Sequence, residues 1–138
     1  MKVIIAGPHK GVWDIAIIER AVLESGFAIT EVVSGRAPGI DTLGERWADK
    51  HGIPVQPFPA GWTRYGKKSA GRIRNAEMGA YAEALIAIDA GTPGTTNMID
   101  IMKGLKKPYF ALKVDSFIPN PDAVQFRLSG PASNKAKD

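Results

Sequence analysis

The sequence contains no cysteine, which excludes disulfides, thiol nucleophiles and the thiolate ligands of most structural zinc sites. Histidine is almost as scarce. His9 and His51 are the only two, too far apart in the chain to make a metal site alone, and no metal or cofactor is expected. No apolar run approaches the roughly 18 residues of a membrane span, so a membrane is not an expected partner. The chain passes from Met1 straight into the strand pattern "KVIIAG". That leaves no room for a signal peptide and predicts a cytoplasmic setting.

What is present is a globular composition, 44% apolar and 23% charged over 138 residues, enough for one domain with its own core. Five short apolar runs read as strands: Val3–Ala6, Thr30–Val33, Val55–Phe58, Ala84–Ile88 and Tyr109–Leu112. They are near-continuous rather than alternating, as in parallel strands covered on both faces. Helical patterns lie between them at Trp13–Ser25, Thr42–His51, Gly71–Tyr81 and Thr95–Leu105. The first stops at Gly26, and the second carries a capping box, Thr42 with Glu45. This alternation predicts a single α/β domain with a doubly wound, five-stranded parallel sheet in the order 3-2-1-4-5. Residues 1–113 form that domain in this reading. Residues 114–138, with Pro119, Pro121, Pro131 and the ending "SNKAKD", are read as a partly flexible C-terminal extension.

Three turns share one character: "AGPHKG" (6–11), "SGRAPGID" (34–41) and "AIDAGTPGTTNMID" (87–100). Each follows a predicted strand, the first, second or fourth, and precedes a helix. Ligands of open parallel sheets bind beyond the carboxyl ends of the strands, where strand order reverses. Glycine lets the backbone approach a ligand closely, and the following helix offers unpaired N–H groups and a partial positive charge. A single such turn is ordinary in α/β proteins. Three on one edge predict a phosphate-bearing ligand laid across the sheet. The candidates are Gly7, His9, Gly35, Gly39, Gly91, Gly94 and the hydroxyls of Thr92, Thr95 and Thr96. No turn is a dinucleotide fingerprint or a Walker loop, and ATP hydrolysis is not expected.

The formal net charge is +4, which favours anionic partners. The stretch "GWTRYGKKSAGRIRNAEM" (61–78) concentrates it, with Arg64, Lys67, Lys68, Arg72 and Arg74 ahead of its first acid. The planar forks of Arg72 and Arg74 suit phosphate, and Trp62 and Tyr65 suit stacking on a base or ribose, or packing on the core. Lys103, Lys106 and Lys107 are expected to offset a helix dipole. Asp41 is placed either to accept a ribose hydroxyl or to cap a helix.

These stretches together, in this order and spacing, resemble the YspA-like branch of the SLOG superfamily over roughly residues 2 to 113. The superfamily is related to the LOG phosphoribohydrolases and the DNA-processing protein DprA. The resemblance implies a Rossmann-like fold that binds nucleotides or nucleotide-derived ligands. The LOG motif runs Arg-Lys-x-x-Met, a strand, then Pro-Gly-Gly-x-Gly-Thr-x-x-Glu. Arg74 and Met78 match its first part, with Asn75 in place of lysine; Gly91, Gly94 and Thr95 match its second. Met98 stands where the catalytic glutamate falls, and a thioether cannot stabilise an oxocarbenium-like centre or activate water. "SGRAPGID" is also similar to a DprA stretch, with Pro38 replacing the usual arginine.

Three functions follow as expectations. The first is a sensor or sequestering protein for an ADP-ribose-like ligand or a nucleoside phosphate. The second is a nucleotide N-glycosidase, with Asp89 or Asp41 as its catalytic carboxylate. The third is DprA-like binding of single-stranded DNA. The LOG resemblance implies a homodimer or larger homo-oligomer.

Overall fold

A computed structural model describes residues 1–114 and 128–133; for 128–133, and for residues 62–65, 67 and 68, the backbone alone is described. In chain order the elements are β1 (Lys2–Ala6), α1 (Ile15–Ser25), β2 (Glu31–Ser34), α2 (Ile40–Lys50), β3 (Val55–Pro57), α3 (Trp62–Tyr81), β4 (Ala84–Asp89), α4 (Pro93–Gly104), β5 (Tyr109–Val114) and β6 (Leu128–Ser133). They form one sheet in the order β3-β2-β1-β4-β5-β6. The first five strands are parallel and stand in the predicted order.

Successive residues of β1 serve opposite layers, which explains why its run is apolar throughout. Val3 and Ile5 join Ile17, Ile18, Ile40, Leu43 and Trp47 of α1 and α2. Ile4, between them, joins Met78, Met98, Ile99 and Met102 of α3 and α4. Each such side chain, fully buried, is worth about 1.5–3 kcal/mol. The order in which strands are added reverses between β1 and β4: α1 and α2 cover one face, α3 and α4 the other. That reversal places the loop after β1 beside the loop after β4.

Several element ends differ from the expectation. α2 begins at Ile40, with Gly39 as its N-cap at φ 79° and ψ −126°. Only glycine enters that region easily, so the helix starts directly behind it. The capping box does not form. Glu45 turns instead to Ser34 Oγ, which donates to it at 2.5 Å, and to Arg36 Nη1 at 2.9 Å. Thr42 Oγ1 donates to Ala37 O at 3.0 Å.

The basic stretch before Gly71 is helical, as part of α3, with a break at Gly66 (φ 78°, ψ 167°). Lysine, arginine and alanine are good helix formers, so Arg64, Lys67, Lys68 and Ala70 continue the helix rather than form a loop. Lys107 serves a helix other than its own neighbour α4. Its Nζ donates to the carbonyls of Gly79 and Ala82 at 2.8 Å and of Ala80 at 3.1 Å, closing the end of α3.

β6 is a strand beyond the five that the sequence predicts. It lies antiparallel on β5, with Leu112 opposite Pro131. A proline is tolerated there because β6 is an edge strand. Among the described residues, no helix is long and apolar enough to cross a membrane.

Candidate functional site

The loops after β1, β2 and β4 converge with the middle of α3 at the carboxyl edge of the sheet. Two cavities open there. The wider, about 610 Å³, is bounded by Gly35, Arg36, Ala37 and Pro38 after β2, Pro59 and Ala60 after β3, Gly71, Arg72, Arg74 and Asn75 of α3, and Pro93, Gly94 and Asn97 of α4. The narrower, about 250 Å³, reaches Gly7, Asp41, Met78, Thr92, Thr95 and Met98. His9, Ala37, Arg74, Asn75, Pro93 and Gly94 line both.

The first two loops are joined backbone to backbone. Ile40 N donates to Pro8 O at 3.1 Å. Gly39 sits so close that a Cβ there would lie 2.4 Å from Pro8 O. Arg36, itself at φ 62°, is anchored through its N–H to Ser34 Oγ and through its guanidinium to Glu45.

Arg74 ties the second loop to the α3–α4 side. Its Nη1 donates to Gly35 O at 2.5 Å and its Nε to Asn75 Oδ1 at 2.9 Å. Asn75 Nδ2 in turn donates to Asn97 Oδ1 at 2.9 Å and Gly94 O at 3.4 Å. Burial pushes the Arg74 guanidinium below its usual pKa, against the favourable charge of Asp41.

Asp41 lies in the first turn of α2 and is 7% exposed. Its Oδ2 accepts from Ala37 N at 3.2 Å. Burial raises its carboxyl to about pKa 6, with Glu45 adding to the rise and the Ala37 N–H and Arg74 opposing it. Gly35 separates the two charged groups. A Cβ on it would be 2.7 Å from Arg74 Nη1 and 2.8 Å from Asp41 Oδ2.

The start of α4 has a different character. Thr92 is its N-cap, but no side chain caps the helix. Thr92 Oγ1 donates to Thr95 Oγ1 at 2.9 Å instead. No acid occupies the first turn of α4, whereas Asp41 occupies that of α2. The uncompensated positive end in this cleft is therefore that of α4.

Of the residues expected from the sequence, Gly7, His9, Gly35, Asp41, Arg72, Arg74, Asn75, Thr92, Gly94 and Thr95 line one or both cavities. Gly7 has a packing reason as well, since a Cβ would meet Ile40 Cγ1 at 2.8 Å. Gly39 supports the rim from behind. Gly91 and Thr96 are exposed and belong to neither lining. Asp89 also stands outside both, its Oδ1 accepting from Gly91 N at 2.9 Å and so holding the turn. The side chains of Trp62 and Tyr65 lie outside the described residues.

Sequence reasoning missed Arg36, Pro38, Pro59 and Asn97. Asn97 was legible in principle, because it follows Gly94 at helical i+3 spacing and so shares its face. Pro59 was legible as the first residue beyond the predicted third strand, Val55–Phe58, at the same edge.

The family model for the YspA, cpYpsA-related SLOG family (YAcAr) matches residues 1–65, which bears out the resemblance read from the sequence. That span holds the first two glycine turns. Among solved structures, the X-ray structure of DNA processing protein A (DprA) from Streptococcus pneumoniae is similar, with a TM-score of 0.65 and 16% identity. The match covers 80% of this chain and 49% of DprA, so the chain spans about half the length of that protein. At that identity the likeness shows the fold, a Rossmann-like one. No curated protein matches the sequence.

Proposed function

We propose that this protein binds a nucleotide or nucleotide-derived ligand, an ADP-ribose-like molecule or a nucleoside phosphate, in the wide cavity, and acts as a sensor or sequestering protein. One observation carries the reading: the uncapped, acid-free start of α4 opens into the same cavity as Arg72 and Arg74. A phosphate at Gly94, on the wall of the wide cavity, would accept the free N–H groups at the start of that helix, with charge-assisted bonds from arginine. Pro38, Pro59 and Ala60 offer apolar surface to a base. The volume, about 610 Å³, falls within the roughly 300–1,000 Å³ of small-molecule sites.

Binding without turnover is favoured, because Met98 occupies the position of the LOG glutamate and is 1% exposed. Asp89, beyond the cavity lining, is poorly sited for catalysis, which leaves Asp41 as the carboxylate on which an N-glycosidase would depend.

The test is calorimetric titration with ADP-ribose and the common nucleoside monophosphates, beside native mass spectrometry for a co-purified ligand. Arg72 is exposed, so Arg72→Ala is expected to leave the melting temperature unchanged and weaken binding about tenfold or more, the worth of a charge-assisted hydrogen bond. Failure of every nucleotide to bind, together with oligonucleotide binding that falls steeply with salt, would replace this reading with the single-strand one. Release of free base from a monophosphate would replace it with the hydrolase.

A further inference from the structure

We propose that the narrow compartment is a pentose subsite, where the Asp41 side chain accepts hydrogens from sugar hydroxyls and so selects ribose- over deoxyribose-containing ligands; this rests on the nucleotide reading of the cleft. Size is the first argument. About 250 Å³ is below the range that takes a whole nucleotide but ample for one sugar ring.

Charge is the second. Arg36 and Arg72 line the wide cavity only, Arg74 lines both, and Asp41 lines the narrow one only, so the cations concentrate on the wide side. A phosphate pushed inward would meet a like charge, whereas a phosphate at Pro93 and Gly94, on the strip common to both, would meet arginine and a helix start. The neutral, hydroxyl-bearing part of the ligand is thereby directed inward.

The third argument is the state of Asp41. It is 7% exposed, and none of the ion pairs among the described residues includes it. Its Oδ2 accepts from Ala37 N, and the Gly35 backbone N–H is a second donor to the carboxylate. A carboxylate offers about four acceptor positions, so capacity remains at the compartment it lines. The Thr92–Thr95 hydroxyl pair supplies further polar partners, and Met78 and Met98 offer apolar surface to the C–H face of a sugar. A site built to bond a hydroxyl rejects the analogue lacking it more strongly than a hydrophobic pocket rejects an extra group.

The experiment compares AMP with 2′-deoxy-AMP, and ribose 5-phosphate with 2-deoxyribose 5-phosphate, by calorimetry or ligand-observed NMR. The wild-type protein is expected to prefer the ribo form at least tenfold in each pair. Asp41→Asn, which keeps the shape and removes the charge, is expected to reduce that preference to within twofold. Equal affinity for ribo and deoxy forms in the wild type overturns the inference and leaves nucleotide binding standing. A preference that persists in Asp41→Asn overturns the role of Asp41. If neither the nucleotides nor the pentose phosphates bind, the nucleotide reading falls and takes the subsite with it.

Discussion

Asp41 is a residue held at a cost to stability. Its carboxyl titrates near 6 in the folded chain against a usual 3.8, so the folded state holds this proton more tightly than the unfolded one. The stability linked to that proton is complete below about pH 3.8 and is lost as pH rises through about 6. At neutral pH and above, the ionised group is unfavourable by roughly 3 kcal/mol. Asp41→Asn is therefore expected to raise unfolding free energy by roughly 1–3 kcal/mol at pH 8 and by much less at pH 4. Urea melts at the two pH values measure it; an equal effect at both would show that no charge is being penalised. A carboxylate kept buried at this cost is a familiar mark of a functional position.

Among the elements, the α3–α4 contact decides how the arginine-bearing helix faces the cleft. Gly79 lets α4 approach so closely that a Cβ would stand 2.5 Å from Ile101 Cγ2. Gly79→Ala is expected to destabilise the fold by about 1–3 kcal/mol through overpacking. Truncating the opposing side chain with Ile101→Ala removes Cγ2 and relieves the clash, so the double variant should lose less than the sum of the two singles; chemical denaturation of the four proteins reads this coupling. The parallel strands were legible in the sequence because each is an uninterrupted apolar run bounded by turn residues. The start of α2 was not: a side chain competent to cap, on Thr42, hid a backbone turn made by Gly39. β6 was illegible because "LSGPAS" carries neither alternation nor β-branched residues, and it pairs only because β5 presents an edge. At the cleft, residue types pointed to Gly7, Gly35, Gly94, Arg72 and Arg74, which line the cavities, but not to Arg36, and also to Gly91, which does not. The Arg74–Asn75–Asn97 relay joins residues distant in sequence, and tertiary packing alone reveals it.

The whole molecule places its cleft lining between Ala6 and Met98, while β6 covers the outer edge of β5. We propose that the chain divides accordingly, into a binding domain over residues 1–113 and an extension that protects the sheet. A chain ending at Val114 is expected to keep ligand affinity within about twofold, yet melt several degrees lower and self-associate, since an uncovered strand edge templates pairing. Scanning calorimetry with light scattering would show it, and a large loss of affinity would mean that the extension contributes to the site. The clasp between Pro8 and Ile40 has its own kinetic implication. Two jaws of the mouth are already locked together before anything arrives, so little ordering remains to be done at encounter. Rival guests should then enter at similar speeds and differ mainly in how long they stay.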